Sequence, residues 1–490
     1  MGRIVKSVKL AAATGTLCAA AAAISPAQTY TTLGLFDGTD GANPVAALIQ
    51  ATNGEFYGTT VMGGNTEGTI FKISTSGKLK TVSVNCIFAG GPCNGDPFGS
   101  LVQAPNEDFY GTSLLGGAKN EGTVFKMSAN GPPLEILYSF CSLSDCADGY
   151  NPTAGLVLAD GNFYGITGQG GANDGGTVFE ITPEGVLNTI YSFCAEAGCA
   201  DGENPYGALV FSSGNFYGTT RYGGQYGSST SGGTVFEITP SGTLTTLYSF
   251  CAQSSCADGS EPKGTLVQGA NGDFYGTTLL GGTHNQGTVF QLKVSGASGT
   301  LKTLHDFCNK SNCTDGASPW AGVIQATDGD LYGTTSAGGA NNDGTVFKLT
   351  TTGTHTLLYS FCAENGCADG GTPFAPLVQG TNGTFYGTAY YGGNSGSCCG
   401  YGVVYSLSVG LGPFVEPQTT SGKVGATVKI LGTDLTGATS VTFNGTAATF
   451  TVSSAALITA TVPSGATSGQ IDVVTPSGTL SSNVPFTVLP

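Results

Sequence analysis

Aromatic side chains recur at one position of a repeated segment, directly after a proline, where flat rings could stack on the C–H faces of sugars. The seven residues at this position are Val45, Phe98, Thr153, Tyr206, Lys263, Trp320 and Phe374. Two more pairs of side chains stand beside recurrent Gly-Gly pairs. The predicted ligand-binding set is Trp320, Phe374, Tyr206, Phe98, Arg221, Tyr222, Tyr390 and Tyr391. The alternative is that these rings only fill a channel, because large apolar side chains usually pack inward.

One Asp per repeat precedes that proline by a few residues and could contribute to a metal site. These residues are Asp40, Asp148, Asp201, Asp258, Asp315 and Asp369, with Asn94 in the remaining copy. Calcium needs several oxygen ligands at one point, whereas one carboxylate per repeat spreads them around a circle. We therefore predict that each Asp caps its own turn through backbone N–H groups, and we predict no metal site.

Apart from Cys18, the cysteines come in local pairs. The pairs are Cys86/Cys93, Cys141/Cys146, Cys194/Cys199, Cys251/Cys256, Cys308/Cys313, Cys362/Cys367 and the adjacent Cys398/Cys399. Zinc needs four converging ligands, but these pairs recur a whole repeat apart and the chain has only three His. The pattern predicts disulfides that form in an oxidising compartment, each spaced pair bridging within its own loop.

The repeat itself positions these residues. A Tyr-Gly pair recurs at intervals of 53 to 58 residues, at Tyr57, Tyr110, Tyr164, Tyr217, Tyr275, Tyr332 and Tyr386. Each copy holds four short runs rich in Val, Ile, Thr, Tyr and Phe, separated by turn residues. In the second copy these strands, labelled A to D, are expected near residues 101–103, 109–113, 123–127 and 134–140. A four-stranded meander of this length is typical of a β-propeller blade.

The two ends of the array favour a closed ring. Residues 30–36 (YTTLGLF) resemble a D strand without its A, B and C strands, and residues 403–407 (VVYSL) resemble a C strand with no D after it. Pairing these two segments completes a seventh unit and removes both open sheet edges. We therefore predict an all-β fold with a seven-bladed β-propeller, closed by its N-terminal strand.

The repeat, with its FYGTT…GG…GTVFK core, resembles the GloVer (Gloeobacter–Verrucomicrobia) tandem repeat of bacterial surface and secreted proteins over about residues 29–408. The resemblance implies an extracellular location and brings no catalytic residues with it. Members often carry a C-terminal sorting anchor, and this sequence contains none that we recognise.

From Gly412 the composition changes to Thr, Ser, Val and Ala, and cysteine disappears. Short alternating strands are expected at 427–431, 440–443, 456–462, 470–475 and 485–488, a pattern that suits a small β-sandwich. The segment resembles the IPT/TIG immunoglobulin-like domain in its GxxG (422–425), VTFNG (441–445) and Val462-Pro463 motifs. That resemblance implies a spacer or a binding accessory.

The N-terminus and the charge indicate export. Arg3, Lys6 and Lys9 precede an Ala-rich apolar run and a small-residue cleavage site, the pattern of a signal peptide. The net charge of −16 opposes binding to nucleic acid or anionic lipid. No later run of 18 apolar residues occurs, so no transmembrane segment is predicted. The expected domains are a signal peptide (1–27), the propeller (28–410) and the immunoglobulin-like domain (411–490).

Enzyme motifs are absent from the sequence: it has no HExxH, GxSxG or P-loop. Adjacent cysteines such as Cys398 and Cys399 also occur in quinone-dependent propeller dehydrogenases, but those enzymes repeat a Trp motif and this chain has one Trp. We predict no cofactor. The predicted function is that of a monomeric, secreted or cell-surface binding protein for extracellular polysaccharide or another surface component. The alternatives are a polysaccharide hydrolase or lyase acting at the same face, and a purely structural surface protein.

Overall fold

The protein is built from β-strands, with a few short 3₁₀ turns, throughout the residues that the computed structural model describes: 28–64, 68–84, 95–393 and 400–489. Up to residue 408 these described residues form seven antiparallel sheets, six of four strands and one of five. We number the sheets 1 to 7 along the chain, call them together the ring, and label the strands of each sheet A to D.

The strands of the ring follow one order in every sheet, A-B-C-D. The A strands are Ile49–Gln50, Val102–Gln103, Val157–Ala159, Val210–Ser212, Val267–Gln268, Ile324–Gln325 and Val378–Gln379. The B strands are Phe56–Thr60, Phe109–Ser113, Asn162–Thr167, Asn215–Tyr222, Phe274–Thr278, Leu331–Thr335 and Phe385–Ala389. The C strands are Thr69–Ile73, Thr123–Ser128, Thr177–Ile181, Thr234–Ile238, Thr288–Ser295, Thr345–Leu349 and Val403–Ser408. The D strands are Leu79–Val84, Gly131–Ser139, Leu187–Ser192, Leu244–Ser249, Ser298–Asp306, His355–Ser360 and, for sheet 7, Thr29–Leu35. In sheet 4 an additional strand, Glu203–Pro205, pairs with the end of strand B.

The B strands carry the FYGTT motif and form the interior of each sheet. Every residue of Phe109–Ser113 is buried. The glycine in the motif is required by close packing, since a Cβ on Gly111 would lie 2.6 Å from Cζ of Phe125 on strand C. Aromatic and β-branched side chains fill such pleated, buried surfaces well, which is why this composition forms strands here.

Neighbouring sheets are joined by contacts between aromatic side chains of their B strands. The Tyr of one sheet packs on the Phe of the next, with centroids 4.0 to 4.5 Å apart, in Tyr57/Phe109, Tyr110/Phe163, Tyr164/Phe216, Tyr217/Phe274, Tyr332/Phe385 and Tyr386/Phe56. Between sheets 5 and 6, Leu331 takes the place of the Phe and packs in the same cluster as Tyr275. Since Tyr386 belongs to sheet 7 and Phe56 to sheet 1, the first and last sheets are neighbours.

The N-terminal strand closes sheet 7. Thr29–Leu35 pairs antiparallel with Val403–Ser408, with Tyr30 opposite Leu407 and Leu35 opposite Val403. The predicted pairing of these two segments is confirmed, and the strand begins one residue earlier than expected. Strand C of sheet 7 is therefore paired on both sides, with strand B (Phe385–Ala389) on one side and with the N-terminal strand (Thr29–Leu35) on the other.

Five of the loops that lead from a D strand to the next A strand, the D–A loops, are cross-linked in the described residues. Each of the five 3₁₀ turns lies in such a loop: Ser144–Cys146, Ala197–Cys199, Ser254–Cys256, Ser311–Cys313 and Asn365–Cys367. Five predicted disulfides are confirmed there, Cys141–Cys146, Cys194–Cys199, Cys251–Cys256, Cys308–Cys313 and Cys362–Cys367. Cys86, Cys93, Cys398 and Cys399 lie outside the described residues. Several disulfides in one chain indicate an oxidising, extracellular environment.

After residue 411 the chain forms three further small sheets. One contains Glu416–Pro417, Thr427–Leu431, Leu457–Thr461 and Phe450–Ser454; the second contains Thr446–Ala447, Ser440–Phe443, Ile471–Thr475 and Gly478–Ser481; the third is a parallel pair, Ser421–Lys423 with Thr487–Leu489. The strands expected at 427–431 and 440–443 are confirmed with the same bounds. Several short strands, such as Phe450–Ser454, were not predicted, although Phe450 and Val452 alternate with exposed residues and pack on the core.

The C-terminal sheets enclose a core of their own, with Val428, Ile430, Phe443 and Ile471 among its fully buried members. They also contact the ring on the side of the A–B hairpins. Lys429 Nζ lies 2.8 Å from Glu107 Oε1. Among the described residues no helix is long and apolar enough to cross a membrane. The predicted signal peptide, residues 1–27, lies outside them.

Candidate functional site

The residues that follow the D–A prolines meet at the centre of the ring. Each proline packs its Cδ against the glycine that precedes strand C of the sheet before it. A Cβ on Gly122 would lie 2.4 Å from Pro152, and one on Gly402 would lie 2.6 Å from Pro44. Both glycines have positive φ, at 106° and 97°. Glycine is therefore favoured at these positions for two reasons, the close approach of the proline and the backbone conformation. This contact fixes where each D–A loop turns towards the centre.

A small cavity of about 80 Å³ lies at this centre, and we call its opening the mouth. All seven residues of the aligned position line it: Val45, Phe98, Thr153, Tyr206, Lys263, Trp320 and Phe374. Small residues follow them in the chain and let the loops touch. A Cβ on Gly322, for example, would lie 2.0 Å from the carbonyl oxygen of Thr265. The cavity is therefore narrow, well below the roughly 300 Å³ at which small-molecule pockets begin.

Aromatic rings form a continuous row around one side of the mouth. Trp320 packs on Phe374 with centroids 4.9 Å apart, and on Tyr206 at 6.2 Å. Tyr206 reaches Phe98 at 6.1 Å. Phe374 continues to Tyr390 at 5.2 Å. Most of these contacts are edge-to-face, the arrangement that aromatic quadrupoles prefer.

The far end of this row is the most accessible part. Tyr390 contacts Tyr391 at 4.6 Å, and Tyr391 is 40% exposed. Phe98, Tyr206, Trp320 and Phe374 are each partly exposed. The rings of the row pack on one another and also keep part of their surface accessible. Neither ligand binding nor the filling of a channel, the two interpretations of these aromatic residues, therefore describes the row alone.

Lys263 is the charged member of the seven, and it is buried. Its side chain is 5% exposed, and its Nζ lies 3.4 Å from the centroid of the Trp320 ring and 5.0 Å from that of Tyr206. Within the described part of the chain this ammonium group has no hydrogen bond or ion pair. Burial, helped by the nearby Arg221 guanidinium, lowers the pKa of Lys263 to about 7. A buried amine with such a shift, in a cleft, is a functional-site candidate.

Arg221 stands beside this lysine and is already paired. Its Nε and Nη2 both lie 2.9 Å from Oε2 of Glu261, which is 6% exposed. The guanidinium also lies over the ring of Tyr222, with Cζ 4.5 Å from the centroid. Since Glu261 neutralises Arg221, the charge of Lys263 is the one left without a close counter-ion.

Lys263 and Glu261 are the site residues that the sequence reasoning missed. Lys263 belongs to the variable position that follows the proline, and it is the single charged residue there. Glu261 stands directly before the D–A proline, at a position with positive φ that Asn151 and Asn204 occupy in other repeats. A charged residue at a position that is uncharged in the other six repeats was the signal that could have identified Lys263. Glu261 gave a weaker signal, because Asp96 is charged at the same position of another repeat.

The acidic residues of the D–A loops have a structural role. Asp201 accepts hydrogen bonds from the backbone N–H groups of Ala195 (3.0 Å) and Glu196 (3.1 Å), and from the hydroxyl of Tyr191 (2.9 Å). Asp148, Asp258, Asp315 and Asp369 accept the corresponding backbone bonds in their own loops. The predicted capping role is confirmed for these residues. Together with the disulfides, the caps give the loops around the mouth a fixed shape.

Two clusters have enough possible ligand atoms for a metal ion, Cys194/Cys199/Glu203 and Asp343/Cys362/Cys367. In both, the cysteines are joined in a disulfide, so they offer no thiolate to a metal. These clusters therefore do not form metal centres while the bridges are intact.

Three solved structures illustrate what the fold is similar to. A putative 6-phosphogluconolactonase from Bacteroides fragilis is 15% identical with a TM-score of 0.41, covering 66% of this chain and 83% of that one. A putative oxidoreductase (glucose dehydrogenase) from Thermus thermophilus is 13% identical with a TM-score of 0.40, covering 78% and 100%. A puromycin hydrolase is 11% identical with a TM-score of 0.45, covering 80% and 59%. Likenesses at this level carry no inference about ligand or reaction.

Sequence comparison is more informative about family. No curated protein matches the chain. A family model described as the Gloeobacter/Verrucomicrobia repeat matches residues 10–147, 81–262 and 226–453, which together include all seven Tyr-Gly copies. The chain belongs to the Gloeobacter/Verrucomicrobia repeat family.

Proposed function

We propose that this protein is an exported, monomeric binding protein that recognises an extracellular glycan at the mouth of the ring. In this proposal residues 1–27 are a signal peptide, residues 28–410 form a seven-bladed β-propeller, and residues 411–490 form an IPT/TIG-like immunoglobulin-fold domain that acts as a spacer. The glycan contacts come from the D–A loops and from the loops that join strands B and C.

The propeller assignment is supported by the repetition of one sheet and by its closure. Seven sheets share one strand order, and Tyr386 of sheet 7 packs on Phe56 of sheet 1. The immunoglobulin-like assignment is supported by two four-stranded antiparallel sheets that share one apolar core after residue 411.

The observation that carries the binding function is the row of aromatic rings from Phe98 to Tyr391, which stays partly exposed. Sugar recognition uses aromatic faces held in place, since stacking on a fixed ring has little entropic cost. The D–A loops that carry Tyr206, Trp320 and Phe374 are fixed twice, each by a disulfide and by a buried Asp cap. A purely structural plug would not need accessible side chains such as Tyr391.

The size of the cavity determines how a glycan could bind. With about 80 Å³, it is too small to enclose a sugar ring, so a chain would lie across the opening and contact Tyr390, Tyr391 and Tyr222 from outside. A larger groove, of about 680 Å³, lies between the ring and residues 418–421 on another face. Its size suits a ligand, but its lining has no basic side chain, and of its three aromatic residues, Tyr110, Phe163 and Phe211, only Phe211 is partly exposed.

A glycan array on the mature chain, followed by affinity measurements on the best ligand, tests this proposal. Tyr391→Ala and Tyr222→Ala should each weaken binding several-fold, because each removes a ring at the mouth. Thr419→Trp is the matched control, since it narrows the large groove and leaves the mouth intact.

The outcomes separate the three candidate functions. Binding without release of reducing sugar supports the proposal, whereas product formation supports a hydrolase or lyase at the same face. No binding to any glycan supports a structural role. Loss of binding in Thr419→Trp alone would place the ligand in the groove instead.

A further inference from the structure

Lys263 presents an unpartnered positive charge to the mouth cavity. It is 5% exposed, and its Nζ faces the rings of Trp320 and Tyr206, which also line the cavity. A buried ammonium group without a counter-ion is costly, and stacking on aromatic faces offsets only part of that cost. Such a group is stabilised when an anion enters beside it.

The surroundings do not supply that anion. Glu261, the nearest carboxylate, is held by Arg221 through two 2.9 Å contacts. With Lys263 protonated, Lys263, Arg221 and Glu261 sum to a charge of +1 at the mouth, while the chain as a whole carries −16. A positive group in this setting favours a negatively charged ligand locally, although the protein's overall charge does not.

The size of the cavity limits which anion fits. A cavity of about 10–15 Å³ on this measure holds one water molecule, so a cavity of about 80 Å³ accommodates a group of a few atoms. A carboxylate fits this volume, whereas a pyranose ring does not. The ring that carries the carboxylate would remain outside, against the aromatic row.

We propose that the mouth binds the carboxylate of an acidic saccharide, a uronic acid residue, beside Nζ of Lys263, with the sugar ring over Trp320 and Phe374. This inference rests on the proposed glycan-binding function and narrows its ligand class to acidic polysaccharide. The low pKa of Lys263 is consistent with it, because a bound carboxylate would return the amine to its charged form.

The test compares oligogalacturonate with neutral oligogalactan of the same length, by calorimetry on the mature chain. Wild type should bind the acidic oligomer at least tenfold more tightly. Lys263→Met keeps the length of the side chain and should reduce this affinity to that of the neutral oligomer. Lys263→Arg should retain part of it. Lys302→Met, which removes the same charge from an exposed position on strand D of sheet 5, is the matched control.

Different failures overturn different claims. If wild type binds neither oligomer nor any other glycan, the proposed function is wrong. If it binds both equally, or if Lys263→Met keeps the preference, only the acidic-sugar inference is wrong. If dextran sulfate competes as well as oligogalacturonate, the assignment to a carboxylate is wrong.

A measurement on wild type covers the case in which Lys263→Met does not fold. Reductive ¹³C-methylation of the lysines gives NMR signals whose titration can be followed with and without galacturonate. Galacturonate should raise the pKa of the lysine that titrates at the lowest pH, Lys263, and leave the exposed lysines unchanged. An unchanged titration at saturating galacturonate would overturn the inference.

Discussion

Closure of the ring by the N-terminal strand can be tested at a single side chain, Tyr30. Its ring stacks on Tyr359 with centroids 3.9 Å apart and on Tyr405 at 5.4 Å, and it meets Phe361 edge-on at 6.0 Å. Its hydroxyl donates a hydrogen bond to the backbone carbonyl of Asp369. Tyr30→Ala removes all of these contacts from the strand that completes sheet 7.

The expected loss of stability follows from these contacts. Three aromatic contacts at about 0.5–1.5 kcal/mol each, with a hydrogen bond of about 1 kcal/mol, give roughly 2.5–5.5 kcal/mol. This range includes the values for replacing a buried large aromatic by Ala, about 3–5 kcal/mol. Since Tyr30 is only partly buried, we expect a value near 3 kcal/mol. Tyr30→Phe keeps the ring and should cost about 1 kcal/mol.

The assay is equilibrium unfolding in guanidinium chloride, followed by circular dichroism and by the fluorescence of Trp320, the only Trp of the chain. Hydrogen exchange supplies the local measurement. The amides of Thr29–Leu35 and Val403–Ser408 should lose protection in Tyr30→Ala. The matched control is Leu134→Ala, at the corresponding position of strand D in sheet 2, where the strand is linked directly to its own sheet.

The reasoning would be refuted by a Tyr30→Ala variant within about 1 kcal/mol of wild type, or by one that loses protection evenly over all seven sheets. Either result would mean that the N-terminal strand packs on a ring that is stable without it. Loss of protection in sheet 7 after Leu134→Ala would show that the effect is not specific to closure.

Three further predictions concern the site and its supports. Trp320→Ala should lower stability by only about 1–2 kcal/mol, because the ring is partly exposed, and it should weaken glycan binding several-fold. A loss of stability above about 3 kcal/mol in thermal unfolding would instead mark Trp320 as a core residue. Burial and the neighbouring His305 lower the pKa of His355 to about 4. The stability of the folded state should therefore fall as the pH drops from about 6.5 towards 4, by a few kcal/mol at most. His355→Leu should flatten this pH profile of the unfolding free energy. Replacing Cys194 and Cys199 by Ser should lower stability by about 2 kcal/mol, as expected for a disulfide that closes a small loop. Asp201→Asn should also disturb the conformation of this loop, so that the loop amides exchange their hydrogens faster than in the Ser variant. Equal amide exchange rates in the two variants would contradict the role of Asp201 as a cap.

The sequence by itself predicted the features that repeat. Four strands per unit, the disulfides within the D–A loops, the Asp caps and the pairing of the N-terminal strand all follow from local composition and from a fixed spacing. Such features need only contacts within one repeat, or between the two ends of a periodic array. For that reason the bounds of Phe109–Ser113 could be predicted to the residue.

Only the tertiary structure decided what the loops of different repeats do to each other. The sequence shows three His at unrelated positions, yet His305 and His355 stack 4.2 Å apart between sheets 5 and 6. Lys263 and Trp320 are 57 positions apart in the chain (320 minus 263), and their contact depends on how tightly the sheets curve around the centre. That curvature also sets the narrow mouth. It results from packing between whole sheets, which no spacing within a single repeat encodes.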